Sequence, residues 1–542
     1  SSAPVNIPDG VTTRFESSFH NDGMLTLQGS YYGALMYVQG GSVALTGGGS
    51  VLLSNHPSNQ VTGDGASSTL INQSNLISGS GSLGSNVIGI INNSVIEGSG
   101  SYGLVINPAD GAGLDNNATL RAADGGRLFL DGPGFDNAGG VIRAESGGTV
   151  YLRTASISGG RLTGAGTGVF VNSGSNSLLS TVSVEAPFVI NDGTNLTLAG
   201  AVGVSSTMTA NSSYYGATVT IQNSVTLDGG GTLIMGNHPS SLISGNTGAA
   251  VLTNSGVTIR GSGQLGANQL VIVNGPGGTM RADQAYALTI NPSAGGFTNQ
   301  GALQVAAGAT MNIGDGGFTT SGSITVDAGG KLDKTSESFT QTGGSVHAHG
   351  EIEVDSNSYL LQGGTLGGRG LVDSNVINSG GVISPGASTG TLTIEGNLLQ
   401  QESAEMHIEV GGGNTGEYDT LKVLGSASLN GVLRLTNLNG FIADPGQQFT
   451  VVNSTGVMSG TFSQIIQPTT GPRWGVAYIN NSVILTAFCG ADFDGTGFVD
   501  TDDFTAFVTA FEAGTDDADF DGTGVVDTDD FTAFVIAFEA GC

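Results

Sequence analysis

Charge is what this sequence has least of. Only 11% of its 542 residues are charged, and 14 Lys and Arg stand against 44 Asp and Glu. A nucleic-acid partner is excluded by that balance, because phosphate contacts need clustered cations. Aromatic residues make up 6% of the chain, with a single Trp, while 93 residues are Gly. Such a composition departs from that of an ordinary globular enzyme and points to many strands joined by tight turns. No apolar run is long enough to cross a bilayer, so no membrane span is expected. The chain opens on Ser1 with no signal-like stretch, which reads as a secreted, extracellular or cell-surface protein whose export signal has been removed.

What is present is an apolar fraction of 38%, rich in Val, Ile and Leu, enough to build a continuous core and to argue against disorder. Up to about residue 395 it comes in short runs punctuated by Gly, Asn, Ser and Asp, as in "GSVALTGGGSVLLSN" and "GGVIRAESGGTVYLR". Alternation of period two bounded by turn residues predicts strands, and no helical stripe precedes residue 490.

A longer repeat overlies the strand rhythm. "SYYGALMYVQGGSVALTGGGSVLLSNHPS" from Ser30 returns as "SYYGATVTIQNSVTLDGGGTLIMGNHPS" from Ser213, with Tyr31 and Tyr214 offset by 183 residues. A duplication with no linker suits a structure that grows by stacking. The predicted fold is all-β: a right-handed parallel β-solenoid of ~20–25 residues per coil, its coils ~4.8 Å apart. A string of β-sandwiches is the rival. The expected divisions are an N-terminal cap over 1–29, repeat blocks over 30–212 and 213–395, a distinct β region over 396–488, and a small α module over 489–542.

Near residue 378 the text changes to "PGASTGTLTIEGN", then "EYDTLKVLGSASLNG" and "GQQFTVVNSTGVMSGTF". These phrases resemble the carboxyl end of autotransporter-type passenger solenoids. The resemblance implies solenoid architecture and no particular activity, and no membrane-inserting barrel is expected to follow.

The last 54 residues hold 14 acidic side chains and no Lys or Arg. From Asp492, oxygen donors fall at Asp494, Thr496, the Phe498 carbonyl, Asp500 and Asp503. From Asp519 they fall at Asp521, Thr523, the Val525 carbonyl, Asp527 and Asp530. This is the ligand spacing of an EF-hand calcium loop, twice over, and two calcium ions are expected. Thr at the fifth position lowers ligand charge and predicts weak, extracellular-range affinity. Each loop leads into apolar residues at helical spacing: Phe504, Phe507, Val508 and Phe511, then Phe531, Phe534, Val535 and Phe538. Loop then helix, twice, resembles the type I dockerin module. That resemblance implies docking to a cohesin on another protein through positions matching Thr501, Asp502, Thr528 and Asp529. Cys489 and Cys542 bracket the module, which fits a disulfide formed in an oxidising compartment, with an intermolecular link or free thiols as alternatives.

No catalytic signature stands out. Asp22 and Asp192 sit in "NDG" turns, His56 and His238 in "NHPS" corners, and the Tyr31–Tyr32 and Tyr214–Tyr215 pairs read as internal or lateral aromatic stacks, with stacking on sugars as the alternative. No cluster of acids on consecutive strands is visible. The sequence therefore predicts a non-enzymatic extracellular protein that assembles head to tail into a filament, sheath or surface layer, with copies of itself as partners. Two alternatives stay open: an adhesin or carbohydrate binder held by a cohesin-like anchor, and a polysaccharide lyase or hydrolase on a β-helix. Sequons at Asn72, Asn92, Asn117, Asn195, Asn211, Asn453 and Asn480 are candidate glycan sites.

Overall fold

In a computed structural model describing residues 2–468, 473–496, 498–520 and 523–541, the chain is a parallel β-solenoid of about 18 turns followed by two short helices. It divides into two compact units, Ser1–Phe297 and Thr298–Cys542.

In the first unit each turn contributes three strands, and each strand pairs in parallel with its counterpart one turn later. One sheet runs Val5–Pro8, Met24–Gln28, Ser50–Leu53, Leu76–Gly79 and onward. A second runs Thr12–Phe15, Leu35–Val38, Gln60–Gly63, Gly81–Leu83 and onward. The third begins Phe19–His20, Ser42–Thr46, Thr69–Asn72, Gly89–Asn92. Alternate residues point inward, so identical register stacks like on like. Leu25, Val51, Ile77, Ile96, Leu120, Ile142, Leu162 and Val184 form one unbroken buried column. Burial of each such side chain contributes roughly 1.5–3 kcal/mol.

One corner is polar. Asn72, Asn92, Asn116 and Asn137 are all buried, and each amide Nδ2 donates to the next Oδ1 at 3.0, 2.8 and 2.7 Å. The turn leaves carbonyls pointing inward, and the ladder satisfies them: Asn92 also donates to the Ser94 and Thr119 carbonyls. Asn72 and Asn92 are therefore enclosed and hydrogen-bonded, which removes them from the candidate glycan sites, whereas Asn117 is exposed.

Strand pairing also fixes the geometry of the internal repeat. Met24–Gln28, at the start of the first copy, lies in the first sheet. Its equivalent, Thr207–Ala210, lies in the second, between Phe188–Ile190 and Thr232–Met235. The copies are thus related by eight turns and one further strand, so the second copy is rotated by one corner about the solenoid axis.

In the second unit the interior carries an aromatic stack on successive turns. Phe318 meets Phe339 at 4.9 Å and Phe339 meets Tyr359 at 4.5 Å, with the Tyr359 hydroxyl donating to Gln341 Oε1 at 2.6 Å. The parallel arrangement ends at an antiparallel hairpin: Ser482–Phe488 pairs with both Gln448–Ser454 and Arg473–Ile479. Trp474, 2% exposed, closes the interior edge-on to Phe449, its indole N–H held by Asn437 Oδ1 at 3.1 Å. An antiparallel lid of this kind blunts the sheet edge against further pairing.

Candidate metal-binding module

Beyond the hairpin, helices α1 (Thr501–Ala513) and α2 (Thr528–Ala540) pack on each other. Each starts on an Asp N-cap, Asp500 or Asp527, whose carboxylate accepts the N–H two residues on at 2.8 Å. A reciprocal capping box is completed by Asp503 or Asp530. Gly514 ends α1 in the left-handed region. The Phe residues of the predicted apolar stripes face inward: Phe507 and Phe534 are fully buried and stacked at 4.0 Å, ringed by Phe493, Phe504, Phe511, Phe520, Phe531 and Phe538, while Val508 and Val535 are half-buried.

That packing brings the first acidic loop to a point. Carboxylate oxygens of Asp492, Asp494 and Asp503 lie within 4.8 Å of one another, with Asp492 and Asp503 buried. Asp503 accepts the N–H groups of Asp494 at 2.9 Å and Asp500 at 2.8 Å. Burial pushes Asp503 upward, but these backbone donors outweigh it and hold its carboxyl below the usual range. Asp500 is turned to the helix cap, Thr496 is exposed, and the Phe498 side chain points to solvent, 74% exposed.

In the second loop Asp530 is buried and accepts the Asp527 N–H at 2.8 Å. Gly524, at φ +83°, turns the chain so that its N–H reaches Asp519 Oδ2 at 2.8 Å. The other Asp519 oxygen is enclosed and, among the described residues, has no hydrogen-bond partner. Thr523 and Val525 are exposed, and Asp521 lies outside the described residues. Clustered carboxylates, of which Asp492, Asp503 and Asp530 are buried, fit a hard divalent cation: left alone, the charges repel and are poorly solvated.

Thr501, Asp502, Thr528 and Asp529 all sit exposed in the first turns of the helices, accessible to a partner. Cys489 is disulfide-bonded, and Cys542 lies outside the described residues. The module is also pinned to the hairpin: Arg473 donates to the Asp517 carbonyl at 3.2 Å and lies 5.3 Å over the Phe493 ring. Burial lowers its pKa.

Compared with known protein families and with curated proteins, the sequence matches none.

Sequence reading missed a second acidic group. Asp333, Glu353 and Asp373 are register partners on three successive turns, and Asp333, Glu353 and Asp355 bring carboxylate oxygens within 4.8 Å of one another. The expectation of no acids on consecutive strands is thereby overturned. Burial, then the charges of Asp355 and Glu353, raises Asp333, and burial beside Glu353 raises Asp373. Lys331 holds Glu351 at 2.8 Å and also pairs with Glu353. The signal was a spacing of 20 residues, one turn, which is meaningless until the register is known.

Proposed function

We propose that the chain is an extracellular structural protein that assembles with copies of itself, using the terminal acidic module as a calcium-dependent docking element. The observation that carries this reading is the convergence of Asp492, Asp494 and Asp503 on one point directly after the solenoid's closing hairpin. A lidded sheet cannot continue into a neighbour's sheet at that end, so a joint there needs a separate device. The module, with Thr501, Asp502, Thr528 and Asp529 exposed, supplies one. Head-to-tail contact of this type is heterologous and extends without closing. The disulfide at Cys489 agrees with an oxidising compartment. In this reading Asp492, Asp494, Asp503, Asp519 and Asp530 bind calcium, whose charge relieves their mutual repulsion, so metal binding and folding of the module are coupled.

Electron microscopy of the purified protein, with millimolar calcium and after chelation, tests it. Filaments that fall apart into like subunits on chelation support self-assembly. Single particles in both conditions refute it. Release of a different protein on chelation would favour the adhesin reading, in which the same module grips a cohesin-like anchor. The acidic ladder at Asp333, Glu353 and Asp373 keeps a polysaccharide lyase or hydrolase as the third reading. Its test is activity on polysaccharides that disappears in Glu353→Gln.

A further inference from the structure

The tyrosine pairs, read from sequence as internal or lateral stacks, are not internal: they are on the surface. Tyr31 and Tyr32 are each 76% exposed, Tyr214 and Tyr215 each 75%. Within each pair the rings meet edge to face, at 4.8 Å and 85° in one and 4.7 Å and 84° in the other.

Exposed rings contribute little to a core, yet the loops that display them are tightly built. Asp9 accepts backbone N–H groups from Ser30, Tyr31, Tyr32 and Gly33, and Asp192 does the same for Ser213, Tyr214, Tyr215 and Gly216. These donors hold both carboxyls far below the usual range. Gly33 and Gly216, at φ +84° and +86°, sit where a Cβ would come within 2.0 and 2.1 Å of a carbonyl oxygen on the next turn. The two displays are locked in the same way.

More of the surface shares the pattern. Two turns of one corner carry Tyr31–Tyr32 and then His56. The next turn at that corner is cut back to the buried Ser80, and the following one carries Tyr102, 58% exposed. Asn55 spans the notch, taking the Ser80 hydroxyl at 2.9 Å and the Tyr102 N–H at 3.3 Å. His56 Nδ1 accepts the Ser58 N–H, which places the neutral ring's proton on Nε2. In the second copy Tyr214–Tyr215, His238, buried Ser262 and Tyr286, 53% exposed, repeat the sequence of features. Asn237 again holds the tyrosine N–H at 3.3 Å.

Between the copies some buried residues have changed, Met36 to Val219 and Leu53 to Met235, while others are kept, as Val43 with Val225 and Leu45 with Leu227; the strand residue Tyr37 has become Thr220. The exposed tyrosines, both His and both Asn are identical. Core packing does not account for identity at these exposed positions, since surface positions away from special features tolerate change.

We propose that each corner is a binding track for an uncharged polysaccharide chain, with the tyrosine rings stacking on sugar faces and His56 or His238 and the neighbouring hydroxyls and amides hydrogen-bonding to its hydroxyl groups. Rings flanking a notch over three turns give a track of ~14 Å, an oligosaccharide's length. The first track carries no charged residue, and in the second Asp283 is held by Arg260 and Arg281. The first therefore offers no cation to an anionic glycan, and a net charge of −30 opposes anionic chains at either. Because the repeat turns by one corner, the tracks face different directions ~40 Å apart along the axis. One straight chain cannot occupy both, so the unit cross-links two.

The test uses the full chain with chitin, microcrystalline cellulose and a β-1,3-glucan as insoluble probes, and their soluble hexasaccharides in titration calorimetry. Tyr31→Ala with Tyr32→Ala removes one platform, and Tyr214→Ala with Tyr215→Ala removes the other; circular dichroism checks that these exposed changes leave the fold intact. Binding of at least one glycan, weakened about tenfold or more in the quadruple variant, is expected. Each double variant should keep half the hexasaccharide stoichiometry and lose the ability to cross-link soluble polymer. No binding to any probe, or binding untouched in the quadruple variant, overturns the proposal. A wild-type dimer that dissociates in the quadruple variant by sedimentation overturns it in favour of a second copy.

Discussion

The asparagine ladder makes a sharp demand on stability, and Asn92→Ala tests it. In the folded chain the Asn92 amide donates to Asn116 Oδ1, the Ser94 carbonyl and the Thr119 carbonyl, and its oxygen accepts from Asn72 Nδ2. Truncation leaves Asn116 Oδ1 without that donor and Asn72 Nδ2 with only a 3.5 Å contact to Val95, both inside a site that excludes water. Each buried, unsatisfied group costs about 1–3 kcal/mol, so the loss is about 2–6 kcal/mol. Asn93→Ala is the internal control. Its amide bonds to Gln73 and Asn117 lie on the outer surface, and the change should stay within about 0.5 kcal/mol. Urea unfolding gives the totals, and hydrogen exchange over residues 69–122 locates the effect, since neighbouring turns should open before distant ones. If Asn92→Ala unfolds no more easily than Asn93→Ala, the ladder is a by-product of the turns and not a determinant of their stacking.

Three further outcomes are expected. Calcium at a hundred times its dissociation constant should stabilise the helical module by about 2.7 kcal/mol. Asp503→Asn should abolish that gain while the solenoid's own transition stays put, and an unchanged calcium response in scanning calorimetry would rule Asp503 out as a ligand. Burial pushes Asp419 up to about 8, despite the N–H groups of Glu409 and Gly390 at 3.0 Å. The folded chain therefore keeps a proton that the unfolded chain releases, and stability should fall as pH rises from about 4 to 8, by up to about 5 kcal/mol. Asp419→Asn should flatten that slope in urea titrations at pH 5, 6.5 and 8; an identical slope would show that Asp419 does not carry it. Finally, Phe534→Ala removes the ring stacked on Phe507 and should cost about 3–5 kcal/mol in the module alone, measured as loss of helical signal at a lower denaturant concentration than in wild type.

Strands, turns and the duplication were legible because they are local: alternating apolar residues and Gly or Asn corners mark each strand wherever it pairs. The convergence of Asp492, Asp494 and Asp503 was legible because the three lie within twelve consecutive residues. What stayed hidden depends on neighbours one turn away. Asp192 reads as a turn residue in "NDG", yet its partners are the N–H groups of Ser213 to Gly216. Asp333, Glu353 and Asp373 look scattered until pairing aligns them. The tyrosine pairs read equally as internal or lateral stacks, because a Tyr-Tyr pair in a Gly-bounded phrase does not tell which way its rings point; both pairs are exposed.

The one-strand offset between the two copies bears on how such a chain can lengthen. A three-sided solenoid presents its next strand with the same demand, alternate apolar residues and a corner, whichever side it is laid upon. An inserted block need not contain a whole number of turns; a whole number of strands suffices. The unit of growth is thus one third of a turn, and a duplicated surface feature can emerge on any of three sides. Two copies of one ancestral patch then become a divergent pair of arms without a single new fold being invented.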